Sequence, residues 1–241
     1  MLNLHKGKPE AGPRQWFRVS AKKDNAAEVF IYDEIGIGWF GGGVAAIDLI
    51  AEIKALKLSR TDELTVRINS PGGDFFEGNT IHNYLRTVGA KVIVRIDGVA
   101  ASAASIIAMA GDRIEMPANA LLFIHNPWMM VAGDASTMRE AAENLDKMRD
   151  NAAGTYLRKA GDKLTRPDLL AMLDAETWLS AEDSVKHGLA DVLDEPVRAA
   201  ALAQFDFAAL GFPVPKALVS AKDSIIEDMT RRRGQLKLLK S

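Results

Sequence analysis

The stretch Lys91-Val92-Ile93-Val94-Arg95-Ile96-Asp97-Gly98-Val99-Ala100-Ala101-Ser102-Ala103-Ala104-Ser105-Ile106-Ile107-Ala108 governs the reading of the whole chain. Its first six residues are mostly apolar and β-branched, the pattern of a buried strand. Gly98 then punctuates the chain, and small or apolar residues of helical propensity follow through Met109 and Ala110. A strand, a turn and a helix start place Ser102 near a helix N-terminus. Unpaired N–H groups and partial positive charge at such an end suit an anion. Ser102 therefore has two readings: a nucleophile among alanines that leave room for a substrate, or a helix N-cap.

Working upstream, Leu64 to Ile68 reads as a strand that stops at Asn69-Ser70-Pro71-Gly72-Gly73-Asp74. Ile81, Tyr84, Leu85 and Val88 form a helix face after it, and Val44 to Leu56 form one before it. Trp16–Ser20 and Ala27–Tyr32 read as two short strands around a polar turn. Gly36-Ile37-Gly38-Trp39-Phe40-Gly41 is a literal G-x-G-x-x-G. The acidic residue a dinucleotide site needs after the next strand is missing, so a flexible turn is the better reading. Repeated βα units with apolar strands call for a parallel sheet covered by helices.

Downstream, Arg113–Pro117 and Ala120–Ile124 read as strands, the second running directly into His125-Asn126-Pro127-Trp128. Met138, Ala141, Leu145, Met148, Ala152 and Tyr156 then recur at helical spacing, with Thr137 and Glu140 as a capping box. The apolar seam of this long helix suits either a subunit contact or its own domain. Further helical stretches cover Pro167–Leu173 and the run to Lys186, and Gly188–Leu193 reads as a closing strand. Past Pro196 the chain turns alanine-rich, then proline-interrupted, then basic at Arg231-Arg232-Arg233. Residues 196–241 read as an appendage of conditional structure.

Composition narrows the chemistry. The 241 residues carry a net charge of −2 and no cysteine, which excludes disulfides, thiolate zinc sites and a cysteine nucleophile. Near-neutral charge calls for neither nucleic acid nor a membrane surface. The longest apolar run, Val99 to Gly111, falls short of the about 20 residues that span a bilayer. Met1 to Arg14 lacks the pattern of a secretory leader, so a cytoplasmic setting is expected. The four histidines, His5, His82, His125 and His187, have no metal-ligand spacing, and no cofactor is expected. Only His125 stands at the end of an apolar strand.

Four motifs in order carry a resemblance: Asn69-Ser70-Pro71-Gly72-Gly73, then Gly98-Val99-Ala100-Ala101-Ser102, then Pro117-Ala118-Asn119-Ala120 with Ile124-His125-Asn126-Pro127. The last is Trp178-Leu179-Ser180-Ala181 with His187-Gly188-Leu189-Ala190-Asp191. Together they resemble the Clp protease proteolytic subunit. Tyr32–Gly36, Arg67–Asp74 and Glu176–Trp178 resemble its tailed-phage head-maturation (prohead) branch. The resemblance implies a lead-in over 1–26, a peptidase domain over 27–195 and the appendage over 196–241. It also implies an α/β fold of the ClpP/crotonase-like type, a spiral of ββα units with a protruding long helix, or handle.

For the site, the resemblance implies Ser102 as nucleophile and His125 as general base, with Gly73 and Ala103 amides as the oxyanion hole. An extended peptide would pair as an added strand beside Gly72-Gly73. The acid falls on Glu176, where the family has aspartate, with Asp174 as the competing candidate. The implied enzyme is an ATP-independent serine endopeptidase that forms a ring of identical subunits. Its substrates would be phage scaffold and capsid precursors, and its own C-terminal tail, in the host cytoplasm or the prohead interior. Two other readings stand beside it: a crotonase-type acyl-CoA enzyme, and a non-catalytic capsid- or scaffold-binding protein.

Overall fold

The computed structural model describes residues 17–21, 26–36, 45–196 and 212–213. The G-x-G-x-x-G turn beyond Gly36, His5, and the basic end of the appendage lie outside the described residues. Strands β1 (Phe17–Ala21) and β2 (Ala26–Ile31) pair antiparallel. From β2 the sheet continues parallel through β3 (Glu63–Ser70), β4 (Lys91–Ala101) and β5 (Arg113–Pro117). β6 (Leu121–Ile124) joins β4 in parallel and pairs antiparallel with β7 (Thr177–Ser180), while β8 (Val192–Asp194) extends the far edge beside β5.

The strand at the centre is longer than its sequence suggests. Instead of turning at Gly98, β4 runs on to Ala101, and the helix after it, α3, covers only Ala103–Ala108. The reason is a change of neighbour. Ile93–Arg95 pair with β5, whereas Val99–Ala101 pair with β6, so the backbone beyond Gly98 stays in a ladder. β4 forks the sheet there, and the fork carries its end across to the strand that delivers His125.

Alternation sorts the two faces of β3 and β4. Leu64, Val66, Ile68, Val92, Val94 and Ile96 are buried against the helices α1 (Ala46–Ala55) and α2 (Phe75–Leu85) and against α3. Each such side chain contributes roughly 1.5–3 kcal/mol relative to exposure. The opposite face is polar rather than continuously apolar: Arg67 forks onto Asp97 at 2.7 and 2.6 Å, and Tyr32 donates to the same carboxylate.

The handle is α4 (Ala135–Ala160). It starts two residues before Thr137, because Asp134 is the N-cap and accepts from the Thr137 amide at 3.0 Å. Thr137 thus receives a cap rather than supplying one with Glu140. The apolar seam divides: Ala152 and Tyr156 pack into the domain core, while Met138 stays 41% exposed. After a 3-10 turn come α5 (Arg166–Asp174), β7 and α6 (Ala181–Lys186). Among the described residues no helix is long and apolar enough to cross a membrane.

Candidate active site

Ser102 is the single residue between β4 and α3, with φ 52° and ψ −125°. A left-handed bend at a residue with a side chain costs on the order of 1–3 kcal/mol. Its surroundings hold it: its N–H donates to the Phe123 carbonyl at 3.0 Å, and its carbonyl accepts from the Ser105 hydroxyl at 2.5 Å. Ser105 is in turn 2.6 Å from the Tyr156 hydroxyl, which ties the bend to the handle. Ser105 is thus a brace for Ser102.

The Ser102 side chain makes no capping bond. Its hydroxyl lies 2.7 Å from His125 Nε2. That contact follows from strand register, since Ala101 stands opposite Phe123 and His125 lies two residues further on the same face. For Nε2 to accept the serine proton, the neutral ring carries its hydrogen on Nδ1. Burial lowers the His125 pKa from 6.5 to about 4.

The expected acid is not brought to this ring. Asp174, at the end of α5, accepts from Asn126 Nδ2 at 2.8 Å and from Arg149 at 2.6 Å. Glu176 sits on a left-handed bend of φ 49° between α5 and β7, which leaves its side chain exposed. Among the described residues neither carboxylate is hydrogen-bonded to His125.

The glycine pair lies against the serine bend. A Cβ on Gly72 would stand 2.6 Å from Ser102 Cβ and 3.0 Å from the Ala103 nitrogen. Gly73 has φ +144°, and a Cβ there would meet the Ile35 carbonyl at 2.1 Å. Ile35 has already paired with this segment: its N–H donates to Gly72 O at 2.7 Å, and it accepts from the Asp74 amide at 2.9 Å. On one edge the Gly72-Gly73 segment therefore pairs with the chain itself at Ile35. The Gly73 and Ala103 amides donate to no acceptor among the described residues.

Ser102, His125, Gly73 and Ala103 all line one cavity of about 620 Å³. Ile106, Met148 and Phe212 give its wall an apolar character. Phe212 belongs to the appendage, and no sequence signal beyond its aromatic type marked it. The other described histidines are elsewhere: His82 is buried on α2, and His187 ends α6.

Acyl transfer at a carbonyl needs a nucleophile, a proton acceptor and free donors converging on one reacting centre. Here a hydroxyl, an imidazole and two amides line one cavity where a forked α/β sheet meets a helix start, an arrangement compatible with the chemistry of a serine-type endopeptidase. Comparison with known proteins narrows the class. The Clp protease family profile matches residues 14–196. The ATP-dependent Clp protease proteolytic subunit 2 of Treponema denticola is 35% identical over 137 residues. That alignment covers 55% of this chain and 66% of the relative, just under two thirds. The ATP-dependent Clp protease proteolytic subunit of Deinococcus radiodurans is 28% identical over 155 residues, covering 62% of this chain and 74% of its own. In structure, a ClpP1 mutant from Listeria monocytogenes superposes with a TM-score of 0.59 at 25% identity, over 70% of this chain and 91% of that one. The chain belongs to the Clp protease family.

Proposed function

We propose that Ser102 attacks a peptide carbonyl while His125 takes its proton at Nε2, returns it to the leaving amine, and then activates the water that releases the acyl-enzyme. The observation that carries this is the 2.7 Å contact between the serine hydroxyl and the imidazole in the wall of a cavity fit for a side chain. The Gly73 and Ala103 amides would hold the oxyanion, and one such donor is worth roughly 3–4 kcal/mol to the transition state. Glu176, with Asp174 as alternative, would orient Nδ1 after its side chain moves toward the ring. A carboxylate arriving there would raise the His125 pKa toward working pH.

Substrates are protein chains, and the assembly is a ring of identical subunits acting without an ATP-driven partner. Capsid and scaffold precursors are the finer proposal, supported by the wording of Tyr32–Gly36, Arg67–Asp74 and Glu176–Trp178. A crotonase-type acyl-CoA enzyme would share the glycine amides and the spiral, but has no use for the Ser102–His125 bond. The test is a fluorophosphonate adduct read by intact mass. One adduct on the wild type and none on Ser102→Ala is expected. No adduct on the wild type, or an equal one on the variant, overturns the reading. Glu176→Gln slowing the adduct more than Asp174→Asn would assign the acid.

A further inference from the structure

Two aromatic rings close around the candidate base, and a third stacks behind one of them. Phe123 stacks on the His125 imidazole at 5.2 Å with planes 18° apart. Phe212 meets the same imidazole edge-on at 5.2 Å and 62°, and touches Phe123 at 5.0 Å. The appendage residue is anchored, because Trp178 Nε1 donates to the Pro213 carbonyl at 2.6 Å while its ring stacks on Phe123 at 4.5 Å. Phe212 thus reaches the site on a strap pinned to β7, far along the chain from every other residue there.

We propose that Phe212, held through Pro213 by Trp178, is a positioning residue that clamps the His125 imidazole against Phe123 so that Nε2 already faces Ser102 before a carboxylate reaches Nδ1. This rests on the peptidase reading above. An imidazole turns freely about two side-chain bonds unless something fixes it, and in a serine peptidase triad a carboxylate does so. Among the described residues no hydrogen bond reaches Nδ1, so packing is the restraint in place. Phe212 stands in the cavity wall and leaves about 620 Å³ open, which makes it a wall rather than a plug. The same ring keeps water from the imidazole. Asp174 is engaged by Asn126 and Arg149, and Glu176 is exposed, so burial alone sets the titration of the base.

The test uses the full chain with isotope-labelled histidine, the His125 signal being identified by its loss in His125→Gln. Ring nitrogen shifts report both tautomer and titration midpoint. The wild type is expected to hold the Nδ1–H tautomer with a depressed midpoint. Phe212→Ala should raise that midpoint by about one pH unit or more and mix the tautomers, as hydration returns. Trp178→Phe, which keeps the stack but removes the donor to Pro213, should move both in the same direction. Phe212→Tyr should restore the wild-type values. Fluorophosphonate labelling should slow about tenfold in Phe212→Ala and recover in Phe212→Tyr. An unchanged midpoint and tautomer in Phe212→Ala, or a Tyr variant that falls as far as the Ala variant, overturns the clamp. A wild type that takes no adduct overturns the peptidase reading instead, and the NMR contrast still decides the clamp.

Discussion

At the scale of single residues, two histidines are held neutral by burial, with different consequences. In the proposed mechanism His125 must be uncharged to accept the Ser102 proton, so a pKa of about 4 would keep it competent over the neutral range while making it a weak base. His82 is also lowered to about 4, first by burial and then by Arg158 and Arg86, and neither ring nitrogen has a partner among the described residues. Its ordinary value in the unfolded chain is 6.5, so below that pH the unfolded state binds the extra proton. Stability is therefore unaffected by His82 above pH 6.5 and is lost as pH falls from there toward 4, by up to roughly 3 kcal/mol. His82→Leu should gain stability over the wild type across that window and flatten the acid side of the profile. Denaturant unfolding at pH 7, 5.5 and 4.5 checks this, and parallel losses in both proteins would refute it.

At the scale of elements, the site depends on backbone paths that tolerate no added atoms. Gly73 combines φ +144° with a carbonyl 2.1 Å from where its Cβ would be. Gly73→Ala should cost at least about 2 kcal/mol, lowering Tm by about 4–8 °C, because both strain and collision fall on the bridge to Ile35. Thermal unfolding measures the loss, and an unchanged Tm would show that the bridge yields easily. Much of this level was legible in the sequence. The Gly72-Gly73 turn, the strand before it and the helix after it follow from local pattern. The run of β4 past Gly98 did not, since a glycine in extended backbone carries no local mark of the neighbour that pairs beside it.

At the scale of the molecule, the handle divides into a packed half and a projecting half. Trp128, Met130 and Val131 on the loop into α4, and Met138 on its second turn, are 53%, 71%, 42% and 41% exposed. Exposed apolar side chains gathered this closely along the chain are the feature a contact between subunits would use, and Trp128 and Met130 also line the Ser102 cavity. On the proposed ring assembly, Met130→Glu with Met138→Glu should shift the protein from a ring-sized particle to smaller species in mass photometry. A wild type that is already monomeric, or a double variant of unchanged size, would remove the handle from assembly.

By itself the sequence determined the alternating strands and amphipathic helices and the order of four motifs, while Ser102, His125, Gly73 and Ala103 became candidates through the resemblance those motifs carry. The strands and helices follow from contacts between near neighbours in the chain, where spacing encodes which face a side chain occupies. Tertiary structure alone decided what depends on strand register and distant chain segments. The pairing of Ala101 with Phe123 sets the Ser102–His125 contact, Arg149 and Asn126 engage Asp174, and the left-handed bend at Glu176 turns that side chain to solvent. Phe212 is the clearest case. Nothing local in a proline-interrupted appendage specifies which imidazole its ring will meet; only the folded path, fastened by Trp178, does.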